Sequence, residues 1–571
     1  MPAMKRNWRS SSIDDWTIDD LRLIEPLNKV VLIFIALLPL SLLANDTVFV
    51  SGALQHDGLL DWKPVMYHSN SYLDLGVNWV KDDVVTVTGK QSTFRELRAK
   101  TRLELTQWPM PGYEADFAGH GVGHLSIAAA FTWGEITVGD VYGQFGSGLI
   151  LSLYEDRALG IDGALRGAKI EAMPYKGIHL TALGGKQRRY WECYKDKAWG
   201  WNYGQDAAIG GDAEFAIDQW SEAMREKDVC WTIGGSWVSK YEQFDTIIAS
   251  SGVAGAYMYN LPRWIGATDV RTRLSVKGFE LLGEFAYKFN DPGVENSFSY
   301  EDGKTCLVSV SYSRKGLSVL AQMKYSENMS FRSERSRTGL AGRLNHMPAF
   351  AQQHTYALAS LYPYATQYTR KELAVQGEIR YTAPRKSAFG GKYGTTVKLS
   401  AAHIRVPGSN TNEAYTDVNI ELNKKLSKQW YLNAMLMYQA YNQLTVEGHG
   451  GMVRSGIAVV DARVDVNKNV SMRGEVQYLY SPHHEGQWCF ALYELTLYKH
   501  WTLSGQWLYN IGFAPDETKE HYYTAGLTFS YGAHRANIGY TKTREGFNCS
   551  GGVCRYVPKM EGICANYSFT F

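Results

Sequence analysis

Few positions in this chain combine reactive side chains at a spacing that chemistry requires. His120 and His124 stand in HGVGH, and His449, His483 and His484 fall in polar stretches. None combines the spacing with the carboxylate partner of a zinc site such as HExxH, so they read as surface histidines and no metal ligand set is assigned. Gly143, Gly146 and Gly148 crowd together as in a phosphate-cradling loop, yet no Lys-Ser/Thr follows and no strand–helix unit surrounds them. Glycines that bend a strand or admit a close backbone neighbour are the simpler account. No GxSxG elbow is present, and no Ser/His arrangement of a lipase or protease. The sequence assigns no catalytic residue and calls for no cofactor; a non-enzymatic protein is the expectation.

Charge is more suggestive than nucleophilicity. Glu155, Asp156, Arg157 and Arg166 are read as an ion-paired structural cluster where a strand enters a loop. Arg332, Arg335, Arg337 and Arg343 form a basic run. It would either line a constriction that favours anions, as charged pore rings do, or lie in a solvated loop partnered by Glu327 and Glu334; the second reading is preferred. Cys549 and Cys554 in NCSGGVCR are spaced for a tight disulfide-closed loop, which is preferred to zinc. With seven cysteines in 571 residues, no disulfide framework holds the fold.

The elements that must position these groups are strands. Hydrophobic residues make up 45% of the chain but mean hydropathy is −0.28, which excludes a bundle of membrane helices. The chain carries 37 Tyr, 17 Trp and 21 Phe, a load that suits amphipathic rings at strand ends. Its 59 basic and 57 acidic residues leave a net charge of +2, no field for nucleic acid. Val30 to Leu43 is an apolar run too short to span a bilayer comfortably, and reads as the core of a signal peptide cleaved near Ala44. Asp14, Asp15, Asp19, Asp20 and Glu25 are acidic where a signal should be basic, so translation is expected to start near Leu27.

From about residue 47 onward the dominant period is two. Leu373, Val375, Ile379 and Tyr381 alternate with Gln376, Glu378 and Arg380; Phe279, Leu281, Phe285 and Tyr287 alternate with Glu280, Glu284 and Lys288. Val470 to Tyr480 repeats the pattern. Such alternation puts one face in an apolar medium and the other in water. Short turns such as Tyr175-Lys176-Gly177, Val276-Lys277-Gly278 and Arg314-Lys315-Gly316 alternate with longer polar loops, the habit of outer-membrane barrels. The last strand, with Tyr567, Phe569 and Phe571 on one face, is the signal that barrel-assembly machinery recognises. The expected fold is therefore all-β: one transmembrane antiparallel barrel over residues 45–571 of about 26 strands, with 22 to 26 acceptable and Ser326 to Gln353 the least secure stretch. By strand parity the Cys549–Cys554 tip faces outside the cell, while Cys193 and Cys230 fall on opposite sides of the membrane and should not pair.

Several motifs occur jointly: GDVYGQFGSGLILSLYEDRALGIDGALRG at Gly139 to Gly167, SENMSFRSERS at Ser326 to Ser336, HTYALASLYPYATQ at His354 to Gln367, VEGHGG at Val446 to Gly451 and CSGGVCRYVP at Cys549 to Pro558. With them the chain resembles an uncharacterised family of outer-membrane barrels from Bacteroidota. The resemblance implies a signal-bearing barrel in a Gram-negative outer membrane, and brings no catalytic residue, cofactor or established substrate. A barrel this large would leave a real lumen, and an open hole would breach the permeability barrier. No plug domain is read ahead of the barrel, so loops, inward side chains or a partner must occlude it. The expected function is a porin-like channel or transport protein for solute or polymer with an occluded lumen. A non-conducting scaffold in an outer-membrane complex is the alternative, and a barrel hydrolase the least supported. Its partners would be outer-membrane lipids, the barrel-assembly machinery and an envelope protein, not nucleic acid.

Overall fold

The computed structural model describes residues 47–571 except 63–64, 82–92, 192–202, 244–246, 252–254, 341, 409–411, 513–518 and 551–552. The signal segment Val30 to Leu43, the cleavage point near Ala44 and Cys193 lie outside the described residues. The first twelve barrel strands are β1 (Thr47–Trp62), β2 (Val65–Val80), β3 (Phe94–Thr106), β4 (Gly119–Phe131), β5 (Gly134–Val141), β6 (Leu165–Tyr175), β7 (Ile178–Arg188), β8 (Tyr203–Ala216), β9 (Val229–Tyr241), β10 (Trp264–Val276), β11 (Phe279–Lys288) and β12 (Gly303–Arg314). The remainder are β13 (Leu317–Glu327), β14 (Glu372–Ala383), β15 (Thr395–Arg405), β16 (Glu413–Lys425), β17 (Trp430–Asn442), β18 (Met452–Asn467), β19 (Val470–Tyr480), β20 (Trp488–Leu497), β21 (Trp501–Asn510), β22 (His521–Tyr531), β23 (His534–Thr543) and β24 (Met560–Thr570).

Each strand pairs antiparallel with its neighbours in sequence, and β1 pairs with β24 from Ala53↔Thr570 to Asp61↔Gly562, which closes the sheet. The 24 strands fall within the 22 to 26 read from the sequence. The segment where counting was least secure contributes no barrel strand after Glu327. Closure removes the edges that an open sheet would expose to lipid.

Alternation decides which face is which. On β14, Glu372 and Ala374 are buried while Val375, Ile379 and Tyr381 are exposed. Leu436 and Val476 are each 62% exposed on the outside, whereas Lys240, Lys288 and Lys324 are 0% exposed on the inside. Large apolar residues outside and charges inside invert a soluble sandwich and suit a barrel in lipid. The tight turns after β4, β6, β10, β12, β18 and β22 lie at one end, and only that between β1 and β2 at the other among the described residues. Lys277 (φ 48°) and Gly278 (φ 84°) both take left-handed backbone, as the two-residue turn between β10 and β11 demands.

The opposite end carries the longest connections, and two of them, residues 142–164 and 328–371, turn back against the inner face. Phe145, Leu149, Ile150 and Leu151 from the first, and Met329, Leu344, Met347 and Leu358 from the second, share one buried cluster. That cluster reaches Val238 and Ile265 on β9 and β10, and Ile404, Met435 and Trp488 on β15, β17 and β20.

Candidate functional site

The two inserts are joined to each other before they are joined to the wall. Ser152 N donates to the Leu344 carbonyl at 2.7 Å, His346 N to the Gly148 carbonyl at 2.9 Å, and Asn345 Nδ2 to the Leu149 carbonyl at 3.0 Å. Glycine makes the tight path possible. Gly146 has φ 52°, and a Cβ there would stand 2.6 Å from Glu284 Oε1 on β11. The next amide, Ser147 N, donates to both Glu284 oxygens at 3.2 and 3.0 Å. The glycine-rich stretch is thus a close backbone approach to a wall carboxylate.

The second insert is pinned on both sides. Lys288 Nζ donates to the Ser330 carbonyl at 2.6 Å. Lys324 meets Glu372 at 2.7 Å, both side chains fully buried, and also donates to the Pro348 carbonyl. Glu372 in turn accepts from Tyr364 Oη at 2.6 Å. Lys240 contacts Glu242 at 2.6 Å and Asp291 at 2.8 Å, and Arg335 reaches Glu242 at 2.6 Å. Across the lumen His354 pairs with Asp417 at 2.5 Å, and Gln477 accepts from Leu358 N at 2.8 Å. Buried charges survive only when paired, so each anchor fixes one seating of the insert.

The basic run falls within this insert. Arg332 and Arg335 are buried, not solvated; Arg332 and Arg343 share Glu295 at 2.6 and 3.1 Å. Arg337 pairs with Glu334 at 3.4 Å as the sequence suggests, and with Asp116 at 3.7 Å. Glu327 instead serves Lys304 and Lys371. Burial pushes the Glu295 carboxyl up, but the Arg332 hydrogen bond and the Arg343 and Arg332 charges outweigh it and hold it at about 2. Burial, with the charges of Lys324 and Arg343 adding to it, pushes His346 down to about 4.

The acidic–basic group of the first insert divides. Glu155 pairs with Arg157 at 2.6 Å and with Arg102 at 2.7 Å, and Arg157 reaches Asp74 at 2.8 Å. Asp156 accepts from Leu159 N at 3.0 Å, while Arg166 pairs elsewhere, with Asp140. A lattice the sequence did not suggest lies beside them. Arg102 bonds Glu104 at 2.7 Å and Asp162 at 2.8 Å; Arg188 bonds Glu104 at 2.6 Å and Asp162 at 2.7 Å. Burial raises the Asp162 carboxyl, yet Arg188 and Arg102 together bring it down to about 2.

The histidines do not converge. His124 Nε2 lies 2.9 Å from Ser126 Oγ, His484 Nδ1 lies 3.2 Å from Tyr362 Oη, and His449 is 3.3 Å from Glu447. Among the described residues no group of three His, Cys, Asp or Glu is arranged to hold a metal. Cys549 and Cys554 stand opposite each other in the hairpin of Gly546–Ser550 and Val553–Val557, while Cys230, Cys306, Cys489 and Cys564 are free thiols. At the closing seam Phe571 exchanges both backbone hydrogen bonds with Gly52 at 2.9 Å, and Phe569 stacks on His534 at 4.3 Å.

Fold and site together define a closed antiparallel β-barrel of the outer-membrane type with two inserts packed on its inner face. The chain belongs to a family of unknown function, DUF6029, whose model matches residues 85–571. No curated protein matches it. Among solved structures it is similar to the P pilus usher PapC translocation pore, at 9% identity over 92% of this chain and 99% of that chain with a TM-score of 0.41. It is also similar to the siderophore receptor PirA from Pseudomonas aeruginosa, at 8% identity over 92% and 81% with a TM-score of 0.42. A copper transporter, OprC, gives 8% identity over 92% and 81% with a TM-score of 0.39. These likenesses concern the barrel fold alone.

Proposed function

We propose that this protein is a transport-type barrel of the outer membrane whose lumen is closed at rest by its own two inserts. The observation that carries the reading is the single buried cluster running from Val238 and Ile265 through Leu149, Leu344 and Leu358 to Ile404, Met435 and Trp488. A wall-to-wall apolar contact leaves no water-filled bore along its length. Arg332, Arg335 and Arg343 act in this reading as pins of the second insert, since each has a carboxylate partner. The end with tight turns faces the periplasm and the long-loop end faces outward, after export by a signal cleaved near Ala44. Tyr567, Phe569 and Phe571 serve as the assembly signal, and Cys549 closes the outer hairpin onto Cys554, which is disulfide-bonded.

The test is conductance in a planar bilayer. The full chain is expected to be silent or nearly so, and a chain with residues 331–366 replaced by a short Gly/Ser linker to show large steady openings. Large resting conductance of the full chain would sink the closed-lumen reading; a folded but silent shortened chain would sink the transport reading. A second reading, a non-conducting scaffold, draws on Ile248 and Met258, which are 64% and 66% exposed on a loop-end hairpin. It predicts a stoichiometric envelope protein retained in mild detergent and lost on Ile248→Asp.

A further inference from the structure

The apolar cluster fills only part of the lumen. Against β1–β6, on the turn side, lies a polar cavity of about 610 Å³ lined by Asp74, Arg98, Lys100, Arg102, Glu135 and Lys169, among others. That is ample for a small solute. On the loop side a smaller enclosed space of about 20 Å³ is lined by Asp162, Gln187, Tyr190, Arg343, His346 and Val553. Gln187 Oε1, His346 Nδ1 and Arg343 Nη1 are buried there without a protein partner, so this space is polar as well. The ion lattice lies between the two, with Tyr142, which lines the large cavity and donates to Asp162 Oδ1 at 2.9 Å. Arg102 lines the large cavity and bonds Asp162, which lines the small one, and Arg188 completes the square through Glu104.

We infer that solute crosses this barrel beside the apolar cluster, along the polar sector of β1–β7, with the Arg102–Glu104–Asp162–Arg188 lattice as its gate. The lining also sets the class of solute. Arg98 pairs with Glu135, Lys169 with Glu171 at 3.1 Å, and Arg102 with Glu155 at 2.7 Å. Asp74 and Asp140 are likewise matched by Arg157 and Arg166. Lys100, exposed to the cavity, is the lining cation with no carboxylate partner among the described residues. Its charge is left for the solute, which is therefore a small organic anion bearing a carboxylate or phosphate. The inference rests on the closed-barrel reading above, and its test fails separately from that one.

The experiment is single-channel recording of full-length variants whose folding is checked by heat-modifiable gel mobility. Arg102→Met with Glu104→Gln removes one charge of each sign from the gate and is expected to raise conductance by about tenfold or more, with anion selectivity. Adding Lys100→Glu should then move the reversal potential towards cations. Leu358→Ala, a truncation within the apolar cluster, should leave that Lys100-dependent selectivity unchanged when added to the gate variant. Should the paired gate variant not fold, Glu155→Gln loosens Arg102 from an insert position and is judged by the same expectation. A folded gate variant that stays silent while the insert-shortened barrel conducts would overturn the route yet leave the closed-barrel reading standing. Conductance with a reversal potential indifferent to Lys100→Glu would overturn the anion assignment, and loss of the Lys100 dependence on adding Leu358→Ala would place the path through the cluster instead.

Discussion

Replacing Glu372 by Gln measures what one anchor contributes to closure. Lys324 and Glu372 are both 0% exposed and 2.7 Å apart, and Glu372 also accepts from Tyr364 Oη at 2.6 Å and from Gln367 N at 2.9 Å. The amide keeps the shape and can still accept from Tyr364, but it leaves the Lys324 cation with the Pro348 carbonyl and the Phe350 ring and no counter-charge. Breaking a buried pair from one side costs about 3–5 kcal/mol. Both partners stand on the wall, where the β13–β14 ladder through Lys324↔Ala374 and Ser326↔Glu372 is untouched; the insert covers them through Pro348 and Tyr364, so the cost is relieved when the insert lifts and water reaches Lys324. At about 1.4 kcal/mol per factor of ten, the released insert should become about two to three and a half powers of ten more populated. Hydrogen exchange of the amides of residues 344–364 reads this directly, and open probability in bilayers reads its consequence. Lys324→Met with Glu372→Leu should recover most of the lost protection, because an apolar pair of similar volume replaces a buried ion pair at little cost. Unchanged exchange in Glu372→Gln, or a double variant as loose as the single one, would refute the idea that this pair holds the insert.

Acid should loosen the same element. His346 is held neutral in the folded plug down to about 4, whereas an unfolded histidine titrates near about 6.5; the unfolded state therefore binds more protons, and stability falls as pH drops through that window. Open probability should rise between those values and His346→Gln should flatten the rise. Glu295 adds a second step: its contribution is complete above about 4.3 and is lost as pH falls towards about 2, so Glu295→Gln should loosen the insert at neutral pH and remove the lower step. Non-reducing peptide mapping should find Cys554 joined to Cys549, with the four thiols at Cys230, Cys306, Cys489 and Cys564 alkylated in denaturant; a peptide joining Cys554 to Cys193 would refute the hairpin bond. A side chain at Gly52 would overlap the Phe571 ring, so Gly52→Leu should cost about 1–3 kcal/mol at the seam and lower the temperature at which the barrel loses its compact gel mobility.

The wall was legible because two media impose a period of two on every residue that crosses them. The alternation over Phe279 to Lys288 and over Val470 to Tyr480 coincides with β11 and β19 to the residue, and the last strand ends at Thr570, one residue before the last aromatic, Phe571. The inserts obey no such rule. Phe145, Leu149 and Leu344 are buried against partners far away in sequence, as in the bond from Ser152 to Leu344, so no local period marks them. Their sequences stood out as unusual motifs without disclosing where they sit. Lys288 was visible as a polar position on the inner face of β11, but an inward lysine looks the same whether it meets water or the Ser330 carbonyl. Arg332 and Arg335 drew attention as a basic run; what distinguishes a pore ring from a set of pins is the position of Glu295 and Glu242, which the sequence does not give.

The division of the lumen into an apolar half and a charged half bears on how closure could be reversed. An insert held by burial alone would have many near-equivalent seatings, since apolar contact is non-directional. The charged anchors remove that degeneracy: Lys324 and Glu372 on the wall hold the Pro348 carbonyl and the Tyr364 hydroxyl, His354 needs Asp417 and Arg335 needs Glu242, and a shift of the insert breaks these contacts together. Such pairs contribute little net stability against water but lose a great deal when one partner is removed. The insert should therefore be rigid until a competing charge or proton reaches an anchor, and mobile soon after. The sector of β1–β7 is the place where a competing charge can arrive, because its lattice borders a cavity of about 610 Å³ while Lys324 and Glu372 are sealed at 0% exposure. A charged solute would meet Arg102 before it could reach any anchor of the apolar cluster, so opening of that sector need not dislodge the second insert at all.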